Sequence, residues 1–477
     1  MQVEYLNPLL LFPALALFCL LYYIVPRKLR WILLLIASYA FLFLLGRWTV
    51  LILLASTLLN YFAGLLLGSE QVRKKTPVLI IAVAFNVGIL AFFKYFMELL
   101  SPDALVYHLF ATDAGAILFP VGLSFYTLQN ISYLLDITSG ASQMERNPGI
   151  FAVYLAFFPK MVAGPVERAH NLIPQLRMPA DITRANLIDG ARMIVFGLFY
   201  KLVIADRLAL FINEVFKNPG TYQGVTVLVT LVFLSFQIYL DFMGYTQIAL
   251  GVARLLGVNL TENFKRPYLS LDFVDFWNRW HISFSSWLRD YFFYPLRYKL
   301  LRHKPLNSEI LALVIPPVLT MLVSGLWHGA GWTFVVWGLY HALFYTITVV
   351  RKKRSKPSAT GRVFKTMINF VILTGSWLFF RADSLTTAWT VLSSLFVKST
   401  TLELILNSTF YLDYLFSLTL ILIIVVSEVL VEFLPERFSW PKLPAWSRWL
   451  IVGSIILCLT LFGVYQAGGS VFIYGKF

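Results

Sequence analysis

The 477-residue sequence has little charge and almost no cysteine. Only 13% of its residues are Asp, Glu, Lys or Arg, against roughly 25% in ordinary soluble domains. Its two cysteines, Cys19 and Cys458, both lie inside apolar runs, so they offer neither a disulfide framework nor a metal-ligand spacing. No polar, Gly/Ser-rich linker divides the chain. H-E-x-x-H, G-x-S-x-G and Walker A patterns are all missing. Ser324 precedes His328 by one helical turn, which makes a serine nucleophile conceivable, but no carboxylate is spaced to complete a triad. No set of ligands clusters as a metal site requires. Zinc-finger, RRM-like and basic-zipper patterns are absent too, which argues against nucleic acid as a partner despite a net charge of +15.

What is present in abundance is apolar side chain, at 59% of residues. A soluble core cannot use so much, and a lipid-facing surface can. The expectation is an all-α polytopic membrane protein forming a single domain over 1–477. Apolar runs near the ~20 residues that a membrane helix needs occur at 8–25, 31–45, 49–67, 78–97, 117–135, 190–212, 225–250, 310–327, 331–350, 366–380, 411–432 and 447–466, with 150–163 as a further candidate. They predict 11 to 13 membrane-embedded helices. The first run lacks a basic n-region and is followed by similar runs, so it reads as a retained span rather than a signal peptide.

Basic residues alternate along the loops. Arg27, Lys28 and Arg30 follow the first run and Arg73, Lys74 and Lys75 the third, while 95–145 holds no Lys or Arg. The positive-inside rule then places the N-terminus outside and the segments 262–309 and 351–365 in the cytoplasm, where anionic lipid suffices to explain their charge. The runs 310–327 and 331–350 become a hairpin with apex Trp327-His328-Gly329-Ala330-Gly331-Trp332, its first arm bent at Pro316 and Pro317. Either the apex lies deep, with His328 reachable from the cytoplasm, or it is an external turn.

An imidazole in apolar surroundings is costly unless hydrogen-bonded or functional, and an ordinary pKa of about 6.5 suits proton transfer. His328 is therefore either a catalytic base or a satisfied structural residue. His281 lies in a stretch, 276–290, that reads as one amphipathic helix at the cytoplasmic interface. Trp277, Trp280, Phe284, Trp287 and Tyr291 form its apolar stripe, and Asn278, His281 and Ser285 share another flank. Arg279 and Arg289 add positive potential there for a phosphate-bearing donor; the alternative is a plain membrane anchor. His341 reads as structural or lumen-lining, and His108, His170 and His303 carry no strong signal. Polar groups at Gln129, Asn130, Asp136, Gln237, Tyr239, Asp241 and Tyr245 punctuate other runs. A transporter would use such groups as well, although no inverted repeat is visible.

Five stretches carry a resemblance: FPVGLSFYTLQNISYLLD at 119–136, FFPKMVAGPVER at 157–168, NFKRPYLSLDFVDFWNRWHISFSSWLRDYFFYPL at 263–296, SGLWHGAGWTFVVWGLYHA at 324–342 and FIYGKF at 472–477. Together the chain resembles the membrane-bound O-acyltransferase superfamily, in the bacterial branch of alginate O-acetylase and the D-alanyl transfer protein of teichoic acid modification. The resemblance implies helices packed around a thin central core with opposing funnels. It implies His328 as the catalytic residue and His281 as a second important histidine near the cytoplasmic funnel; the residue pattern itself adds Asn278, Arg279, Ser285, Arg289, Trp327 and Ser324 as candidate substrate contacts, with both histidines as catalytic candidates. It further implies a bacterial inner-membrane enzyme with no tightly bound cofactor and no metal. Such an enzyme would move acetyl groups from acetyl-CoA towards an extracytoplasmic polysaccharide or cell-wall glycan, or to a partner acyltransferase outside the cell. D-alanyl transfer from an acyl carrier protein is the alternative chemistry, and transport without chemistry the alternative class. Gly475 and Lys476 depart from the aromatic-rich ending of relatives, which bears on how a partner docks.

Overall fold

Uninterrupted Leu, Ile, Val and Phe runs leave the backbone no polar partner in lipid but its own, so they become helices. The computed structural model describes residues 8–97, 119–302, 309–351, 358–397 and 411–465, and helices dominate them. In chain order they are α1 (Pro8–Ile24), α2 (Arg30–Leu45), α3 (Arg47–Gly68), α4 (Lys75–Ala91), α5 (Leu123–Ser139), α6 (Pro148–Ala156), α7 (Ala169–Arg177), α8 (Arg184–Leu198), α9 (Asp206–Lys217), α10 (Val225–Leu255), α11 (Phe273–Arg279), α12 (Ile282–Leu288), α13 (Tyr294–Arg302), α14 (Glu309–His328), α15 (Trp332–Val350), α16 (Ala359–Arg381), α17 (Leu385–Ser394), α18 (Tyr411–Phe433), α19 (Pro435–Phe438) and α20 (Ala445–Phe462).

Among the described residues, nine helices are long and apolar enough to cross a membrane, with Phe12–Ile24 and Pro148–Lys160 as shorter apolar ones. The chain is thus a multi-pass membrane protein. Two expected spans take another form. The run at 117–135 becomes α5, 17 residues long and buried along nearly all its length, including Gln129, Asn130 and Asp136. The run at 190–212 is broken by a π-helical segment, Phe199–Ala205, between α8 and α9. Burial separates the long helices: 11% of the residues of α20 are buried, as in a lipid-facing helix, against 78% in an 18-residue stretch of α10. The expected loop at 351–365 is partly helix, because α16 begins at Ala359 behind an N-cap in which Ser358 Oγ accepts the Gly361 N–H. Residues 352–357, His108, His303 and the stretch 472–477 lie outside the described residues.

Backbone contacts divide the chain into two units. One comprises Pro8–Ile194 and Ile248–Glu262. Its apolar helices are tied by amides at depth: Asn60 and Asn86 exchange hydrogen bonds at 3.1 and 2.7 Å, and Asn130 Nδ2 donates to Ser56 Oγ at 2.9 Å. Such bonds fix helix pairs where lipid offers no competing partner. Lys160, fully buried, donates to Gln129 Oε1 at 2.6 Å and to the Leu155 carbonyl at 3.1 Å.

The other unit holds Val195–Gln247 and the chain from Asn263 onward, and with it every candidate site residue. Its buried charge sits at the π-helical break, where Lys201 Nζ lies 2.7 Å from both Asp206 and Asp241 and under the Tyr245 ring. Removing one partner of a buried ion pair leaves charge uncompensated, so Lys201→Met is expected to destabilise by about 3–5 kcal/mol. A fluorescence-detected thermal melt in detergent should show a clearly lowered Tm; an unchanged Tm contradicts this role for the triad.

Candidate functional site

The site begins with two glycines. A Cβ on Gly325 would come within 2.3 Å of the Phe334 carbonyl, and one on Gly338 within 2.6 Å of the Met321 carbonyl. The absence of side chains lets α14 and α15 pack backbone against backbone as an antiparallel hairpin. Helix α14 runs on through Pro316 and Pro317 and ends at His328. The turn at Ala330 and Trp332 is exposed, while the His328 ring points back into protein and is 3% exposed.

Four aromatic rings wall His328. Their centroids lie at 4.9 Å for Trp327, 5.2 Å for Trp337, 5.3 Å for Phe380 and 5.6 Å for Phe284. Phe284 stacks on Trp327 at 4.3 Å. His281 contacts the same pair, at 5.0 Å from Phe284 and 6.2 Å from Trp327. The two histidines, 47 positions apart in sequence, therefore flank one stacked aromatic pair.

The expected amphipathic helix over 276–290 is broken at this point. Helix α11, capped by Asp272, ends at Arg279. Trp280 is extended, and His281 adopts φ 43°, ψ 52° before α12 starts. A non-glycine residue in the left-handed region is strained unless its surroundings hold it. Here Asn263 does so. Its carbonyl accepts the Ile282 N–H, the Arg279 carbonyl accepts the Lys265 N–H, and Asn263 Oδ1 accepts from Ser283 Oγ at 2.6 Å. The break turns Trp277, Trp280, Phe284 and Trp287 into buried packing rather than a lipid-facing stripe. It also buries His281 completely, and that burial pushes its pKa down to about 3. His281 is a neutral imidazole at physiological pH.

The other expected site residues separate into two sets. Ser324 is fully buried one turn before His328, and Trp327 is part of the wall. Asn278 and Arg289 are exposed and meet each other, Arg289 donating to Asn278 Oδ1 at 3.3 Å. Ser285 donates to the Trp280 carbonyl at 2.8 Å and so secures the break. Arg279 is engaged by Asp275 at 2.8 Å and Glu432 at 3.0 Å, and Arg266 shares that Glu432. Its charge serves an ion-pair network. Residue patterning missed Phe380, Trp337 and Asn263; Asn263 and Trp337 carried a signal, as members of the 263–296 and 324–342 stretches. Among the described residues no group of three His, Cys, Asp or Glu could hold a metal.

The sequence profile of the membrane-bound O-acyltransferase family matches residues 147–389, which span both histidines and the hairpin. A "Probable alginate O-acetylase" of Azotobacter vinelandii is 34% identical over 81% of this chain and 76% of its own length. The chain belongs to the membrane-bound O-acyltransferase family. It is an O-acyltransferase. A "Peptidoglycan O-acetyltransferase" of Helicobacter pylori is 28% identical over 92% of this chain and 90% of its own length. A "Teichoic acid D-alanyltransferase" of Streptococcus thermophilus is 28% identical over 49% of this chain and 58% of its own.

Two outcomes follow for His281. Asn tolerates the left-handed region and Val does not, so His281→Val should melt below His281→Asn by about 1–2 kcal/mol; equal melting would show the turn to be unstrained. Because the folded pKa is depressed, the unfolded chain binds the extra proton, and stability falls as pH drops below the unfolded value of about 6.5. The loss of Tm between pH 8 and pH 5 should be smaller in His281→Asn than in the unsubstituted enzyme, and an identical loss contradicts the buried neutral ring.

Proposed function

We propose that the enzyme moves acetyl groups from a cytoplasmic thioester donor, acetyl-CoA, towards an extracytoplasmic polysaccharide or cell-wall glycan, directly or through a partner acyltransferase outside the cell. The observation that carries this reading is the pairing of His328 and His281 on one aromatic wall, away from bulk water. His328 removes the proton from the acceptor hydroxyl as its oxygen attacks the thioester carbonyl. The new C–O bond forms, the C–S bond breaks, and the thiolate leaves and takes up a proton. Neutral His281 donates or accepts a hydrogen bond beside this centre without adding charge. Keeping bulk water out protects the thioester from hydrolysis.

Support for acetyl over D-alanyl comes from the relatives. Those named for O-acetylation align over 81–92% of this chain and the D-alanyltransferases over about half. The acceptor's hydroxyl belongs to a sugar or to the serine of a partner. Arg289, exposed beside Asn278 and 3.5 Å from the carboxylate of the neighbouring, half-exposed Asp290, is the group we assign to donor phosphates, in preference to Arg279, which two carboxylates hold. A bacterial inner membrane, with the N-terminus outside, completes the proposal.

His328→Gln, inserted at normal level, should lower transfer of radiolabelled acetyl from acetyl-CoA into polymer by about 10²–10⁴-fold. Labelling at the unsubstituted rate contradicts the role of His328, and label arriving only from a D-alanyl carrier thioester contradicts the donor. Arg289→Ala should raise the KM for acetyl-CoA several-fold at low salt and leave kcat within twofold; an unchanged KM contradicts the phosphate contact.

A further inference from the structure

Beneath His328 lies a group of buried polar atoms that catalysis has not used. Thr320, Ser324 and His328 recur every four residues along one flank of α14, and Trp337 and His341 do the same along α15. Antiparallel pairing through Gly325 and Gly338 brings the two rows to the same side of the hairpin. Trp337 joins them, its ring 5.2 Å from His328 and 4.5 Å from His341. Trp277 and Trp377 close over His341 at 5.3 and 6.3 Å. All are at least nine-tenths buried. Thr320 Oγ1, Ser324 Oγ, both ring nitrogens of His341 and the indole nitrogens of Trp277, Trp337 and Trp377 have no hydrogen-bond partner among the described residues.

Native proteins leave very few such atoms unsatisfied. The chemistry of this set selects its ligand. Three indole N–H groups can only donate, and the hydroxyls and neutral imidazole do both. A small molecule with lone pairs and its own protons satisfies them all, and buried water does this routinely with about three bonds each. We propose that ordered water fills this flank of the hairpin as a file from His328 to His341, and that the file carries away the proton His328 takes from the acceptor hydroxyl. At each link one O–H or N–H bond forms as another breaks. His341 accepts on one ring nitrogen and releases from the other towards the departing thiolate, which takes up the proton, so both imidazoles end the step neutral. The relay rests on His328 acting as base; the water file does not.

X-ray radiolytic footprinting in ¹⁸O-labelled water, with the protein in lipid nanodiscs, tests both parts. Water held against a side chain oxidises it, so Trp337 and His341 should gain label comparable to that of exposed His170, while Phe151, equally buried in apolar packing, should not. Absence of label at Trp337 and His341 overturns the file. His341→Leu should abolish label at Trp337 and lower kcat roughly tenfold with KM unchanged, and His341→Gln should recover part of both. Label retained and kcat unaltered in a folded His341→Leu overturns the relay. Failure of the base assignment would be distinguishable, because His328→Gln would then keep activity whatever the footprint shows.

Discussion

Two membrane helices that touch backbone to backbone set the terms for everything at this site. At Gly325 and Gly338 there is no room for a Cβ, and the resulting closeness delivers the His328 ring onto Trp337 rather than into lipid. Dispersion and shape, not a hydrophobic drive, must hold such a pair together, because lipid tails are as apolar as the side chains they would release. The glycines thus set the geometry around His328. They decide where an imidazole on the last turn of one helix stands relative to the first turns of the next.

Around that hairpin the enzyme uses aromatic rings where a soluble enzyme would use polar groups. Trp327, Trp337, Phe284 and Phe380 surround His328, and Phe242, at 4.7 Å, closes over His281. Burial keeps His281 uncharged, so it adds no fixed charge beside the aromatic wall of His328. Charge instead appears at the edges of this unit, where Arg266 and Arg279 share Glu432, and in the compensated Lys201–Asp206–Asp241 triad.

Much of this was legible in the sequence, for physical reasons. Apolar runs near membrane length announce spans because no other structure satisfies their backbone, and among the described residues nine of the expected helices appear in that form. His328 stood out because an imidazole between Trp327 and Gly329 is expensive without a purpose. What escaped was governed by long-range packing. The periodicity of 276–290 fits a continuous helix, and nothing local shows that Asn263 will hold His281 in the left-handed region. The run at 117–135 looks like a span by hydropathy, yet Gln129, Asn130 and, just beyond it, Asp136 mark the buried helix it forms. Arg279 looked available until Glu432, 153 residues away in sequence, was found beside it.

Catalysis by His328 requires the acyl group to sit beside its ring when the donor is bound. A cryo-EM structure of the enzyme in nanodiscs with a non-hydrolysable thioether analogue of acetyl-CoA would show it directly. The account predicts the acyl carbonyl carbon lodged against the Phe284–Trp327 pair, close enough that an attacking hydroxyl oxygen could lie about 3–3.5 Å from it and within hydrogen-bond reach of a His328 nitrogen. An acyl group bound elsewhere, with the rings of His328 and His281 still sealed from it, would contradict the catalytic assignment.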